Sequence, residues 1–266
     1  MPVLPGAEPF LFDAGAEAPA TIVMSHGFTG SPQTVRAWGE AVHAAGYTVI
    51  GPRLPGHGTR WQDMAATRWQ DWYGEVERAL DEALGRGRPV VGMGISMGAT
   101  LMLRLAQERG ADLSGLVVVN PSLFSQKVAV NYLLPVISRL ARSAPGIASD
   151  IAKPGITELA YDRIPLAALR SLTELWRLTR SRLGNITVPL RVYRSAQDHV
   201  VEPANSRMLL AGVSSEDVAE HVMQHSYHVM TLDNDAPELF AGSVAFVGEL
   251  LGAAPAGPGG GAEPGR

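Results

Sequence analysis

The sequence predicts an α/β protein, with a mostly parallel central sheet and helices on both faces. Three observations carry this. Short apolar, β-branched runs bounded by Gly, Pro or Asn alternate with amphipathic helical segments. A Gly-x-Ser-x-Gly turn, Gly94 to Gly98, joins one such run to one such helix. The alternation stops between Pro121 and Ile186, a stretch too long for a plain loop, and then resumes. With 266 residues, 46% hydrophobic and 18% charged, the chain is long enough for one large domain with a well-buried core.

The elements follow in order. Residues 20–24 (ATIVM) read as a strand. Ser31 and Pro32 suit the N-cap and first position of a helix, and Val35, Trp38, Val42 and Ala45 then recur at helical spacing before Gly46. Residues 47–50 (YTVI), 89–95 (PVVGMGI), 116–119 (LVVV) and 190–193 (LRVY) are further strands, apolar on both faces as covered parallel strands are. Residues 69–84, 97–107 and 239–251 read as helices. The gap holds two apolar helical stretches, 128–141 (VAVNYLLPVISRLA) and 169–183 (LRSLTELWRLTRSRL). It is predicted to be a helical cap, about 122–187, inserted after strand 116–119 within a domain spanning 1–252. The alternative is a set of extra packing helices. Residues 253–266 are dominated by Gly, Pro and Ala and are expected to form a flexible tail.

Composition excludes several functions. Lys plus Arg is 22 against 26 for Asp plus Glu, and a formal net charge of −4 argues against nucleic acid as a partner. No Cys is present, which removes disulfides, thiolate nucleophiles and iron–sulfur clusters. No apolar run reaches the roughly 18–20 residues needed to span a bilayer. The opening MPVLPGAEPFLFDAG lacks the basic start and long apolar stretch of a signal peptide, so a cytoplasmic protein is expected.

The chemistry centres on Ser96. It lies in GISMG, after the run PVVGM and before the helical run MGATLMLRLAQ. Small flanking residues permit a sharp strand-to-helix turn that places a hydroxyl at a helix N-terminus, where backbone N–H groups favour developing negative charge. A Ser hydroxyl needs a base, and the base needs an orienting carboxylate. Asp198 follows strand 190–193 in SAQDHVV, and His228 lies in HSYHVMTLD before the final helix. The chain order Ser, acid, His is the one this architecture requires. His221 and His225 are rival bases. Asp233 and Asp235 are rival acids in the wrong order. Met97 N–H supplies one oxyanion donor, and Phe28 N–H, in SHGFTG after strand 20–24, is the expected second. His26 and His57 are read as residues that brace loops. A zinc site from His221, His225 and His228 would need a helix there.

These blocks, HGFTGSP, AGYTVIGPRLPGHGT, GISMGAT, DHVV and SYHVMTLD, resemble bacterial monoacylglycerol lipases and small carboxylesterases of the α/β-hydrolase superfamily. The resemblance runs from about Val3 to Gly248. It implies an eight-stranded core with a small helical cap inserted after the sixth strand. It also implies a triad of Ser96, Asp198 and His228, with Phe28 and Met97 as oxyanion donors. The segment ITELAYDRIP (156–165) is similar to a family segment whose glutamate contacts glycerol hydroxyls. That position is Glu158, which could equally be an exposed carboxylate on a cap helix. Ala99 stands where the family often has a second Gly. Residues 124–149 match poorly, which leaves acyl length open. The implied activity is hydrolysis of a small lipid ester through an acyl-enzyme, with no metal or organic cofactor. A general carboxylesterase and a non-catalytic ligand receptor on the same scaffold are the alternatives. The cap, with Val128, Leu133, Leu134, Val136, Ile137 and Leu140, is a candidate acyl-tunnel wall and a candidate site of transient membrane or micelle contact.

Overall fold

The computed structural model describes residues 2–127, 130, 133–146 and 149–252. Val128 and the Gly/Pro-rich stretch 253–266 lie outside the described residues. In chain order the elements are β1 (Phe10–Phe12), β2 (Thr21–Ser25), α1 (Gln33–Ala44), β3 (Thr48–Gly51), α2 (Trp61–Ala65), α3 (Trp69–Leu84), β4 (Val90–Ile95), α4 (Met97–Arg109) and β5 (Gly115–Val119). They continue with α5 (Leu134–Leu140), β6 (Ser143–Pro145), β7 (Arg163–Pro165), α6 (Leu166–Arg180), β8 (Leu190–Ser195), α7 (Ala204–Gly212), β9 (Val218–Met223) and α8 (Ala236–Leu250).

The main sheet has the order β1-β3-β2-β4-β5-β8-β9. β1 runs antiparallel to β3, and every other pair is parallel. Period-two alternation divides the central strands between two cores. Ile22, Met24, Val91, Met93, Val117 and Val119 face α1 and α8, where Trp38, Val42, Leu239 and Phe246 meet them. Val23, Val90, Leu116 and Val118 face α3, α4 and α6, where Trp72, Leu80, Leu101 and Leu175 meet them. Trp38 is fully buried and donates its indole N–H to Ser243 Oγ at 3.1 Å, tying α1 to α8. Ser31 does not cap α1 through its hydroxyl, which is buried without a partner; the helix starts behind Pro32.

Among the described residues the main sheet has seven strands rather than eight. The segment before β1 carries Pro2, Pro5 and Pro9, whose missing N–H groups discourage a ladder. The insertion therefore follows the fifth strand in chain order, not the sixth. It holds more than helices, since β6 and β7 pair antiparallel inside it. Helix α6 packs on α3 and α4, with Leu172 and Leu175 in the core. No described helix is long and apolar enough to cross a membrane.

Strand order places the site. The chain steps from β2 to β3 on one side and from β4 to β5 on the other, so β2 and β4 are neighbours at a switch point. Loops leaving the carboxyl ends of such strands diverge and open a crevice. The loop after β2 and the turn after β4 flank it.

Replacing Trp38 with Ala should cost about 4 kcal/mol of stability, through lost burial and a cavity. Urea unfolding of the two proteins checks this.

Candidate active site

Ser96 sits between β4 and α4 with φ 56° and ψ −120°, a conformation L-residues rarely adopt. Close approach on both sides holds it there. A Cβ on Gly94 would lie 2.6 Å from the Gly98 backbone, and one on Gly98 would lie 2.2 Å from Ser25 O. Ser96 N–H donates to Val119 O on β5 at 2.9 Å, which fixes the turn to the sheet. The first N–H groups of α4 have no intrahelical acceptor.

The loop after β2 passes beside this turn. Among the described residues, neither Phe28 N–H nor Met97 N–H takes part in the backbone hydrogen bonds that tie the turns and loops together. His26, buried, sits between Gly27 O and the Leu54 N–H, 3.0 Å from Nδ1 and 3.2 Å from Nε2. The second contact requires an unprotonated Nε2, so Nδ1 carries the hydrogen and donates to Gly27 O. Rings then follow in a chain: His26 on His57 (5.1 Å), His57 on Trp72 (5.6 Å) and Trp72 on Phe28 (5.8 Å). The two histidines brace the loop, as the sequence reading expects.

Asp198 and His228 come together from the ends of β8 and β9. His228 Nδ1 is 2.8 Å from Asp198 Oδ2. Asp198 Oδ1 accepts the N–H groups of Val200 and Val201, both at 2.8 Å. Burial alone would raise the Asp198 pKa. The His228 charge and hydrogen bond and the two N–H donors outweigh it, and the carboxyl stays below its usual range. Burial likewise disfavours the imidazolium, but Asp198, then Glu158 and Asp150, hold the His228 pKa above its ordinary value.

Ser96 and His228 line one cavity of about 380 Å³. Its lining is largely apolar, including Phe124, Leu134, Ile137, Leu169 and Trp176, and also includes the polar side chains of Thr34, Asp150 and Glu158. Glu158 is not an exposed helical carboxylate. It lies in a loop, half-buried, and accepts the Thr34 hydroxyl at 3.1 Å. Burial raises its pKa against the opposing effects of His228 and Thr34.

The rival residues have other partners. His221 is on β9 and stacks on Tyr193 at 4.6 Å. His225 is exposed, and its N–H donates to Asp235. Asp233 accepts the N–H groups of Ala152, Lys153 and Tyr227. The segment 221–228 is strand and loop rather than helix, and among the described residues no group of His, Asp or Glu is placed to hold a metal. Sequence reasoning missed three residues at the site. Asp150 binds the His228 backbone, Thr34 binds Glu158, and Asn120 donates its side-chain amide to His228 O at 2.8 Å. Only for Asn120, at the carboxyl end of β5, did sequence hold a signal.

The switch-point crevice and the strand–turn–helix at Ser96 define an α/β-hydrolase fold. Residues 16–235 match the Hydrolase_4 family, described as serine aminopeptidase, S33, and the chain belongs to it. It is 38% identical over 251 residues to a thermostable monoacylglycerol lipase of Bacillus sp. (strain H-257), covering 94% of this chain and 98% of that protein. It is 24% identical over 230 residues to a carboxylesterase of Bacillus subtilis (strain 168), covering 86% and 91%. A solved structure from work on the metagenome-derived lipolytic enzymes LipS and LipT superposes with a TM-score of 0.89 at 34% identity, covering 93% of this chain and all of that one.

The buried His26 titrates at about 4 rather than 6.5 because burial disfavours its charged form. Between those values the unfolded chain binds the extra proton. Stability is therefore complete above pH 6.5 and is lost as pH falls towards 4, by about 3 kcal/mol from this group. Urea unfolding between pH 7 and 4 should show the decline, and a His26→Gln chain should show a shallower one.

Proposed function

We propose that the protein hydrolyses monoacylglycerols to fatty acid and glycerol, with Ser96 as nucleophile, His228 as base and Asp198 as orienting acid. That it is a carboxylic ester hydrolase agrees with its family and with the lipase and esterase names of its relatives. The observation that carries the finer reading is the mixed lining of the one cavity that holds Ser96 and His228. Its many apolar side chains suit an acyl chain, and the hydrogen-bonded pair Thr34 and Glu158 suits hydroxyl groups.

His228 Nε2 takes the Ser96 proton as the hydroxyl attacks the ester carbonyl. The N–H groups of Phe28 and Met97 receive the tetrahedral oxyanion. Asp198 holds the Nδ1–H tautomer and stabilises the imidazolium. The imidazolium then gives its proton to the departing glycerol oxygen. Water, deprotonated by His228, releases the fatty acid from Ser96. The exposed side chains of Leu133, just before α5, and of Val136 and Leu140 on it adjoin the cavity-lining residues Leu134 and Ile137, an arrangement that supports contact with a lipid aggregate. Liposome co-sedimentation tests that contact, and no binding removes it.

The deciding experiment is a hydrolysis panel of monoacyl-, diacyl- and triacylglycerols, simple esters and aminoacyl amides, with Ser96→Ala as control. Monoacylglycerols should turn over on the order of 1–1000 per second, and Ser96→Ala should be inactive while still folded. A preference for short simple esters would make the protein a general carboxylesterase, and binding without turnover would make it a receptor.

Two further outcomes are expected. Only neutral His228 can accept the proton, and its pKa is raised, so kcat/KM should fall as pH drops through a midpoint above 6.5. Glu158→Gln should lower the ratio of monoacylglycerol to methyl-ester kcat/KM by about five- to tenfold, the worth of a hydrogen bond to the substrate. An unchanged ratio would leave Glu158 outside the alcohol pocket.

A further inference from the structure

One carboxylate of the insertion binds both catalytic loops. Asp150 lies between β6 and β7 in the chain, and its side chain is 11% exposed. Its Oδ2 accepts the backbone N–H of His228 at 3.0 Å and that of His199 at 3.2 Å. Its Oδ1 lies 2.8 Å from His199 Nδ1. Its own carbonyl accepts Val229 N–H at 3.1 Å. His199 directly follows Asp198, so these bonds join the segment carrying the acid to the one carrying the base. Asp150 also lines the cavity beside Ser96 and His228.

On this geometry we propose that Asp150 is a positioning residue for His228: it locks the two loops in register through a single carboxylate and adds a further negative charge near the imidazole. The inference rests on reading His228 as the base. The alignment of His228 Nδ1 on Asp198 depends on both backbones, and Asp150 fixes both. An imidazolium forms at each chemical step, and a carboxylate held nearby stabilises it more than it stabilises the neutral ring. The charged groups facing His228 are Asp198, Glu158 and Asp150. His199, which shares Asp150, has its side chain 59% exposed and its ring against Tyr227.

Asp150→Asn separates charge from hydrogen bonding. The amide oxygen can accept both backbone N–H groups, while the amide NH2 faces His199 Nδ1, which accepts in its other tautomer. Asp150→Ala removes charge and bonds together. His199→Ala, at an exposed position, removes one tie without disturbing the core.

The test reads each full-length variant in two ways. Histidine-15N NMR titration gives the His228 pKa without turnover, with thermal unfolding to verify the fold. The pH profile of p-nitrophenyl ester hydrolysis gives kcat and KM. Asp150→Asn should lower the His228 pKa and the acid limb together, and kcat about tenfold, with KM within threefold. Asp150→Ala should lose more kcat than Asp150→Asn, and His199→Ala less. An unchanged His228 pKa and kcat in a folded Asp150→Asn chain overturns the proposal, and so does an effect confined to KM. If the NMR shift occurs but the wild type hydrolyses no ester, the proposed function fails while the placement of Asp150 stands.

Discussion

The site depends on one close approach, between the end of β4, the start of α4 and the neighbouring end of β2. Any side chain at Gly98 would collide with the Ser25 backbone, and any at Gly94 with the Gly98 backbone. Only there can the strand turn into the helix within one residue, and that residue, Ser96, is left with φ 56°. Such a conformation costs of the order of 1–3 kcal/mol and persists where surrounding packing over-determines it. That packing is extensive. All six residues of β4 are buried, as is every residue of α4 from Met97 to Ala106. A helix buried on all sides shows little amphipathic pattern, and its position is set by the fit of its surface rather than by one stripe.

The same packing explains what could be read from sequence. β2, β4 and β5 are covered on both faces, so their composition alone marks them. β1, β6 and β7 have three residues each, with Pro at the end of β6 and of β7, and so carry no periodic signal. β9 is an edge strand with half its residues exposed, so its VAEHVM lacks the continuous apolar run that marks the covered strands. Helix α6 faces both the core and the cavity. Leu175 belongs to the core, while Leu169 and Trp176 line the cavity.

At the site, the sequence singles out Ser96, Asp198 and His228 because each stands in a local context that chain order then ranks. Glu158 was reached only through family resemblance. Its neighbours in sequence give no hint that Thr34, 124 residues away, meets it. Asp150 was illegible for the same reason. Its partners lie 49 and 78 residues distant, and it borders a stretch that matches the family poorly. A carboxylate that acts by accepting backbone N–H groups imposes no residue type on its partners, so it leaves no motif.

The insertion therefore does more than roof the cavity. Residues 150–153 are tied to the His228 loop through Asp150 and Asp233. Residues 158–161 are tied to the loop after β2 and the start of α1: Tyr161 N–H donates to Thr29 O, Leu159 N–H to Gln33, and Glu158 accepts from Thr34. One short segment thus bridges the two halves of the site, and three carboxylates surround one imidazole. Their roles follow from what each oxygen is given to accept. Asp198 meets the ring Nδ1 and two N–H groups and is held ionised. Asp150 meets backbone and an exposed histidine, so it acts on loops. Glu158 meets a single side-chain hydroxyl, and burial raises its pKa, so the proposed alcohol-binding role draws on its remaining lone pairs.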